Sequence, residues 1–184
     1  LAGLTLLATP RPLLVPRAAP EETASPLAPL HDAAFRRLLA VYVGSGIAAA
    51  LPATLVLFFV VDVLQAGAWG GAFLALYFVA GAAGLTFWVK LARRIGLVRA
   101  WIAGMLLSSL AFVWAYGLGA GDVGAFALVC LVSGLALGAD LALPAALLAD
   151  LAERKHGSAR AGGYFGWWNL VTKLNLALAA GIAL

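Results

Sequence analysis

The sequence predicts an all-α fold, a polytopic transmembrane helical bundle, and three observations predict it. First, 64% of the 184 residues are apolar and only 11% are charged, with a mean hydropathy of +1.02, whereas a soluble domain carries about 25% charged residues. No soluble fold of this length hides so much apolar surface, so lipid is the solvent. Second, the chain contains five long apolar runs, each near the length of about 20 residues that crosses about 30 Å of hydrocarbon. Third, the charges between those runs are segregated in alternate loops.

Leu1–Ala8 is apolar but too short to span. No basic segment precedes it, so it does not read as a signal peptide, and residues 1–8 are expected to end an upstream transmembrane helix. Pro10 to Asp32 holds six prolines, Glu21 and Glu22, with little periodicity. Residues 9–33 are therefore expected to form a solvated connector. Residues 34–184 are expected to form one bundle, with spans near 36–62, 67–90, 99–119, 123–150 and 161–184. Leu38–Val61, Val63–Val89 and Ala100–Gly121 contain no charge, Val123–Ala149 contains only Asp140, and Ala161–Leu184 only Lys173. Helices satisfy their own backbone hydrogen bonds in lipid. Continuous runs, without alternating ten-residue strands, speak against a membrane β-barrel.

The net charge of +4 does not point to nucleic acid, because the basic residues sit in short clusters between spans. Arg11, Arg17, Arg36 and Arg37, then Lys90, Arg93, Arg94 and Arg99, then Arg154, Lys155 and Arg160 all fall on one side, eleven of the twelve. The other side holds Asp62 and Asp122 and no Lys or Arg. Adding or removing one span would destroy this segregation. By the positive-inside rule the connector and the loops at 90–99 and 151–160 are cytoplasmic, and the expected location is a bacterial inner membrane. Cys130 is the only cysteine, so no intrachain disulfide forms, and its apolar context reads as core. His31 and His156 read as solvated loop residues. No metal-ligand cluster, phosphate-binding glycine loop or Ser/His/Asp set appears, so no enzymatic activity, metal or organic cofactor is expected.

Two ionisable residues lie deep in the spans. Nine residues separate Asp140 from Asp150 at the cytoplasmic end of the span, which puts it about 15 Å deep at the α-helical rise. Lys173 lies nine residues beyond Tyr164, about 14 Å deep. Each costs about 2.5–3.5 kcal/mol in mid-bilayer on insertion scales, so each is expected to be paired or to face a cavity. An Asp140–Lys173 ion pair that only locks two helices is one reading; a solute path lined by one or both is the other. Asn169, Thr172 and Lys173 share a face about 100° wide, bordered by Trp168. Amide, hydroxyl and ammonium groups there suit a polyhydroxylated solute, and an indole can pack on a sugar ring. Pro144 leaves the Asp140 carbonyl without its helical partner, as Pro52 does for Ala48 beside Gly44-Ser45-Gly46; both are expected to bend their helices. Gly134/Gly138 and Gly162/Gly166 have the spacing that lets helix backbones approach.

One span before a long connector and five after it suggest a two-bundle transporter, with 34–184 as five of the six spans of its C-terminal half. Lys90-Leu-Ala-Arg93-Arg94-Ile-Gly96 resembles the degenerate R-x-G-type loop of major facilitator proteins. Leu147-Leu-Ala-Asp150, a short charged loop, and Tyr164-Phe-Gly-Trp-Trp-Asn-Leu-Val-Thr-Lys173 resemble the glycoside–pentoside–hexuronide:cation symporter family, the melibiose-carrier-like branch of that superfamily. The charged loop here, Leu-Ala-Glu-Arg-Lys-His, is shorter than the family's. The resemblance implies symport of a sugar or glycoside with Na+ or H+ by alternating access, with Lys173 near both sugar and cation. It places Trp168, Asn169 and Thr172 along the sugar pocket, and Asp140 and Leu141 on the sugar-facing part of their span. The coupling cation would be bound mainly by an N-terminal bundle that partners this one. Asp150, at the cytoplasmic end of its span beside the charged loop, is a candidate gate residue. A major facilitator exporter of drugs or lipids, or a membrane protein that transports nothing, remain alternatives.

Overall fold

The computed structural model describes residues 27–156 and 161–183. The expected upstream helix end at 1–8, most of the connector at 9–33, and Arg160 lie outside them. Among the described residues the chain is helical, with five α-helices: α1 (Ala33–Phe58), α2 (Gly70–Ile95), α3 (Leu97–Ala115), α4 (Val123–His156) and α5 (Ala161–Ala183). A 3-10 turn, Ala28–His31, leads into α1. A π-helical turn, Phe59–Val63, extends α1.

Asp32 starts α1 by accepting a hydrogen bond from the Ala34 amide at 2.9 Å, a cap of about 1 kcal/mol. Arg93 and Arg94 close the last turn of α2, where the helix dipole favours cations. Gly96 alone separates α2 from α3, at φ 91°. A side chain is strained at that angle, so glycine permits the abrupt reversal.

Helix α4 is the centre of the bundle, packed on α2 and α3 along most of its length. Its contact with α2 depends on glycine. A Cβ on Gly138 would lie 2.6 Å from the Gly84 carbonyl carbon and 2.7 Å from the Leu85 nitrogen, and one on Gly84 would lie 2.5 Å from the Leu135 oxygen. Two backbones meet directly there, as the Gly134/Gly138 spacing predicts. The Gly162/Gly166 pair differs: nothing stands within 4 Å of a Cβ at either position, so these glycines make no close approach within the described chain.

Three packed clusters fix the ends and the middle. Phe35, Leu39, Leu148, Ala152, Tyr164 and Trp168 join α1, α4 and α5. Trp88, Ala92, Ala100, Trp101, Ala139 and Leu143 join α2, α3 and α4. Val60, Leu64, Phe73, Ala111, Phe126 and Val129 close the opposite end, where the Gly121 amide donates to the Leu64 carbonyl at 3.1 Å. The first end therefore carries Arg36, Arg37, Lys90, Arg93, Arg94, Arg99 and Arg154, and the second carries Asp62 and Asp122.

Ala33–Val63, Gly67–Ile95, Leu97–Ala115 and Val123–Arg154 are long and apolar enough to cross a membrane. α5, with 23 residues, is long enough but is not among them. Asn169, Lys173 and Asn175 dilute its apolar content, so the fifth expected span is a helix of mixed character. Neither proline interrupts its helix: α1 runs through Pro52 and α4 through Pro144. The 34 residues of α4 give about 51 Å at the α-helical rise, so its basic end projects well beyond one hydrocarbon layer.

Candidate functional site

Asp140 lies on α4 where α1, α2 and α3 converge. The Trp101 indole N–H donates to Asp140 Oδ1 at 2.7 Å. Ser45 of α1 stands close enough to interact with the carboxylate, and Tyr77 of α2 stands within its electrostatic reach. The Asp140–Lys173 ion pair does not form: among the described residues the ion pair within 4.0 Å is Arg154–Asp150. Asp140 instead ends a cavity of about 480 Å³ whose walls come from α1, α2, α3 and α4 and include Pro52, Tyr77, Phe126, Cys130 and Ser133.

The polar stripe of α5 is a separate place. Lys173 and Asn169 are exposed on the bundle surface, and Thr172 is half-buried. The Thr172 hydroxyl donates to the Trp168 carbonyl at 2.9 Å and lies 3.3 Å from the Tyr42 hydroxyl. Since its single proton goes to Trp168, the Tyr42 hydroxyl is the donor of that second bond. Trp168 is buried, its ring stacked on Tyr42 at 4.1 Å with 29° between the planes. Its indole is thus held within the bundle, behind the face that Asn169 and Lys173 present. Asn175 packs over Gly46 of α1, and its Oδ1 is buried with no hydrogen-bond partner among the described residues.

A family model described as MFS/sugar transport protein matches residues 28–184. The chain belongs to the major facilitator superfamily. No curated protein and no solved structure matches it. This major facilitator chain is accordingly a multi-pass membrane protein of transporter type, its apolar helices set by length and composition to cross a bilayer.

In this facilitator α1 touches both polar sites within one turn. Tyr42 reaches Thr172 on α5, and Ser45, about 4.5 Å further along at the α-helical rise, reaches Asp140 on α4. Sequence reasoning named Ser45 only as part of a soft segment and did not single out Tyr42, Trp101 or Tyr77. A tyrosine or tryptophan inside an apolar run has a polar tip that needs a partner when buried, and that was the available signal. Leu141, next to Asp140, is exposed and turns away from the cavity, which it does not line.

Asp150 pairs with Arg154 of its own helix at 2.7 Å, both side chains being substantially exposed. Among the described residues it makes no ion pair with another helix within 4.0 Å. Exposed i,i+4 pairs contribute about 0.3–0.5 kcal/mol, so Asp150→Asn is expected to change thermal unfolding in detergent by no more than that. Trp101 is a stronger case, since it is 4% exposed and its N–H meets a charge-bearing group. Trp101→Phe is expected to cost about 1.5 kcal/mol or more of stability, read as a lowered unfolding midpoint.

Proposed function

We propose that this facilitator is a cation-coupled symporter of a sugar or glycoside, of the glycoside–pentoside–hexuronide:cation type, working by alternating access in a bacterial inner membrane with its basic end in the cytoplasm. The observation that carries the reading is the exposed Asn169–Lys173 face of α5. An ammonium in mid-span is tolerated where it meets water, solute or a partner charge. A helix whose polar residues line up on one face is suited to a wet path rather than to lipid. A second bundle would cover this face and complete the path, as substrate sites of such transporters lie between two repeats near the midplane.

In this reading Lys173 and Asn169 bind the solute directly. Thr172 and Trp168, held by Tyr42, set the shape of the wall behind them. Asp140 and Lys173 are the charged groups available for coupling to Na+ or H+, and α1 is the element that touches both neighbourhoods. The sugar class draws support from the family description, which names sugar transport. The test is uptake of labelled mono- and disaccharides into vesicles holding the intact protein, under an imposed Na+ or H+ gradient. Gradient-dependent accumulation of one sugar is the expected result. Flux of every sugar at the rate of protein-free vesicles rejects the assignment.

A further inference from the structure

We propose that the cavity ending at Asp140 is a binding site for an amphipathic organic cation, an ammonium or phosphonium ion with an aromatic or alkyl body. This site is distinct from the α5 stripe and does not depend on the sugar assignment. The cavity extends along α4 from Phe126 to Asp140, fourteen residues or about 21 Å at the helical rise. Its volume of about 480 Å³ lies in the range of small-molecule sites, about 300–1,000 Å³.

Its chemistry is lopsided. The walls are largely apolar and aromatic, with Phe73, Tyr77, Phe112 and Phe126 among them. Aromatic faces attract cations as well as apolar bodies. The one ionisable carboxyl group on the lining is Asp140, and no lysine, arginine or histidine is among the described residues that line it. Asp140 accepts from Trp101 and interacts with Ser45, and the two hold the carboxyl in place. A carboxylate can accept more bonds than these interactions take up, so it retains capacity toward the cavity. The end of the bundle from which the cavity runs inward carries Asp62 and Asp122 and, among its described loop residues, no lysine or arginine. Such a field draws cations and repels anions. An acyl chain alone would satisfy the walls but gain nothing from Asp140; a cation with an apolar body satisfies both.

The intact protein, reconstituted in nanodiscs of neutral phosphatidylcholine, is titrated with radiolabelled tetraphenylphosphonium. Saturable binding is expected. Asp140→Asn should weaken it at least about tenfold, the loss expected when a charged partner is removed from a desolvated site. Ala49→Trp, which narrows the cavity without touching the carboxylate, should weaken it likewise and serves if Asp140→Asn does not fold. Glu153→Gln, at the basic end and away from the cavity, should bind as the wild type does. Dodecyl sulfate at equal concentration should not compete. Absence of saturable binding by the wild type, unchanged binding by folded Asp140→Asn, or full competition by dodecyl sulfate would overturn the proposal. Sugar uptake by the wild type, measured in parallel, tests the sugar assignment with Asp140 intact, so the two assignments fail separately.

Discussion

Lys173→Ala is expected to lower gradient-driven solute accumulation on the order of 100-fold, the consequence of losing about 2–5 kcal/mol of contact between a desolvated charge and its partner. The physical reason lies in the placement of Lys173. It stands exposed beside exposed Asn169 and half-buried Thr172, on a helix that Tyr164 and Trp168 anchor in the bundle. Nothing in the bundle depends on its ammonium, since it makes no ion pair among the described residues. Folding should therefore survive, and the variant should elute and melt as the parent does. Lys173→Arg keeps the charge but presents a planar fork in place of a compact ammonium, and it should restore part of the rate. Vesicle uptake in which Lys173→Ala accumulates solute within about twofold of wild type, a change of under about 0.5 kcal/mol, would remove Lys173 from the path.

Gly138→Leu has the opposite profile and should remove the folded protein. The nearest atoms to its new Cβ are backbone atoms of Gly84, Leu85 and Gly81, at 2.6, 2.7 and 2.9 Å. Backbone cannot swing aside as a side chain can. The helices α2 and α4 would have to separate along their extensive contact, which also holds the Trp88 indole N–H against the Leu135 carbonyl at 2.8 Å. Overpacking a tight core costs about 1–3 kcal/mol even where side chains can yield, so a larger loss is expected here. The readout is the yield of monodisperse protein from membranes and its unfolding midpoint. Gly124→Ala, with nothing within 4 Å of its Cβ, should leave both unchanged or slightly raise stability, as alanine is the better helix former. Equal behaviour of the two variants would mean that α2 and α4 do not meet as described.

The helical bundle and its polarity were legible because composition acts over many residues at once. A run of uncharged residues has few alternatives to a spanning helix, and loop charges such as Arg93, Arg94 and Arg99 fall at one end by counting alone. The depth of Asp140 and Lys173 was also legible, because helical rise is fixed. What those residues touch was not. The rise places two charges at one depth without saying on which side of each helix they stand, and so an Asp140–Lys173 pair was as open to sequence reasoning as a solute path. Packing turned Asp140 toward Trp101 and Ser45 and left Lys173 outside.

The same limit applied to glycine and tryptophan. Gly134/Gly138 and Gly162/Gly166 share one spacing, yet the first pair meets another backbone and the second meets nothing. Trp168 borders the polar face by helical angle, yet Tyr42 holds its ring inside the bundle. By itself the sequence determined a lipid-embedded set of antiparallel helices with a basic and an acidic end, because hydrophobicity and charge are sums over local residues. Tertiary structure alone decided which polar groups meet and where a cavity opens, because rotation of one helix against another is set by interlocking side chains far apart in the chain.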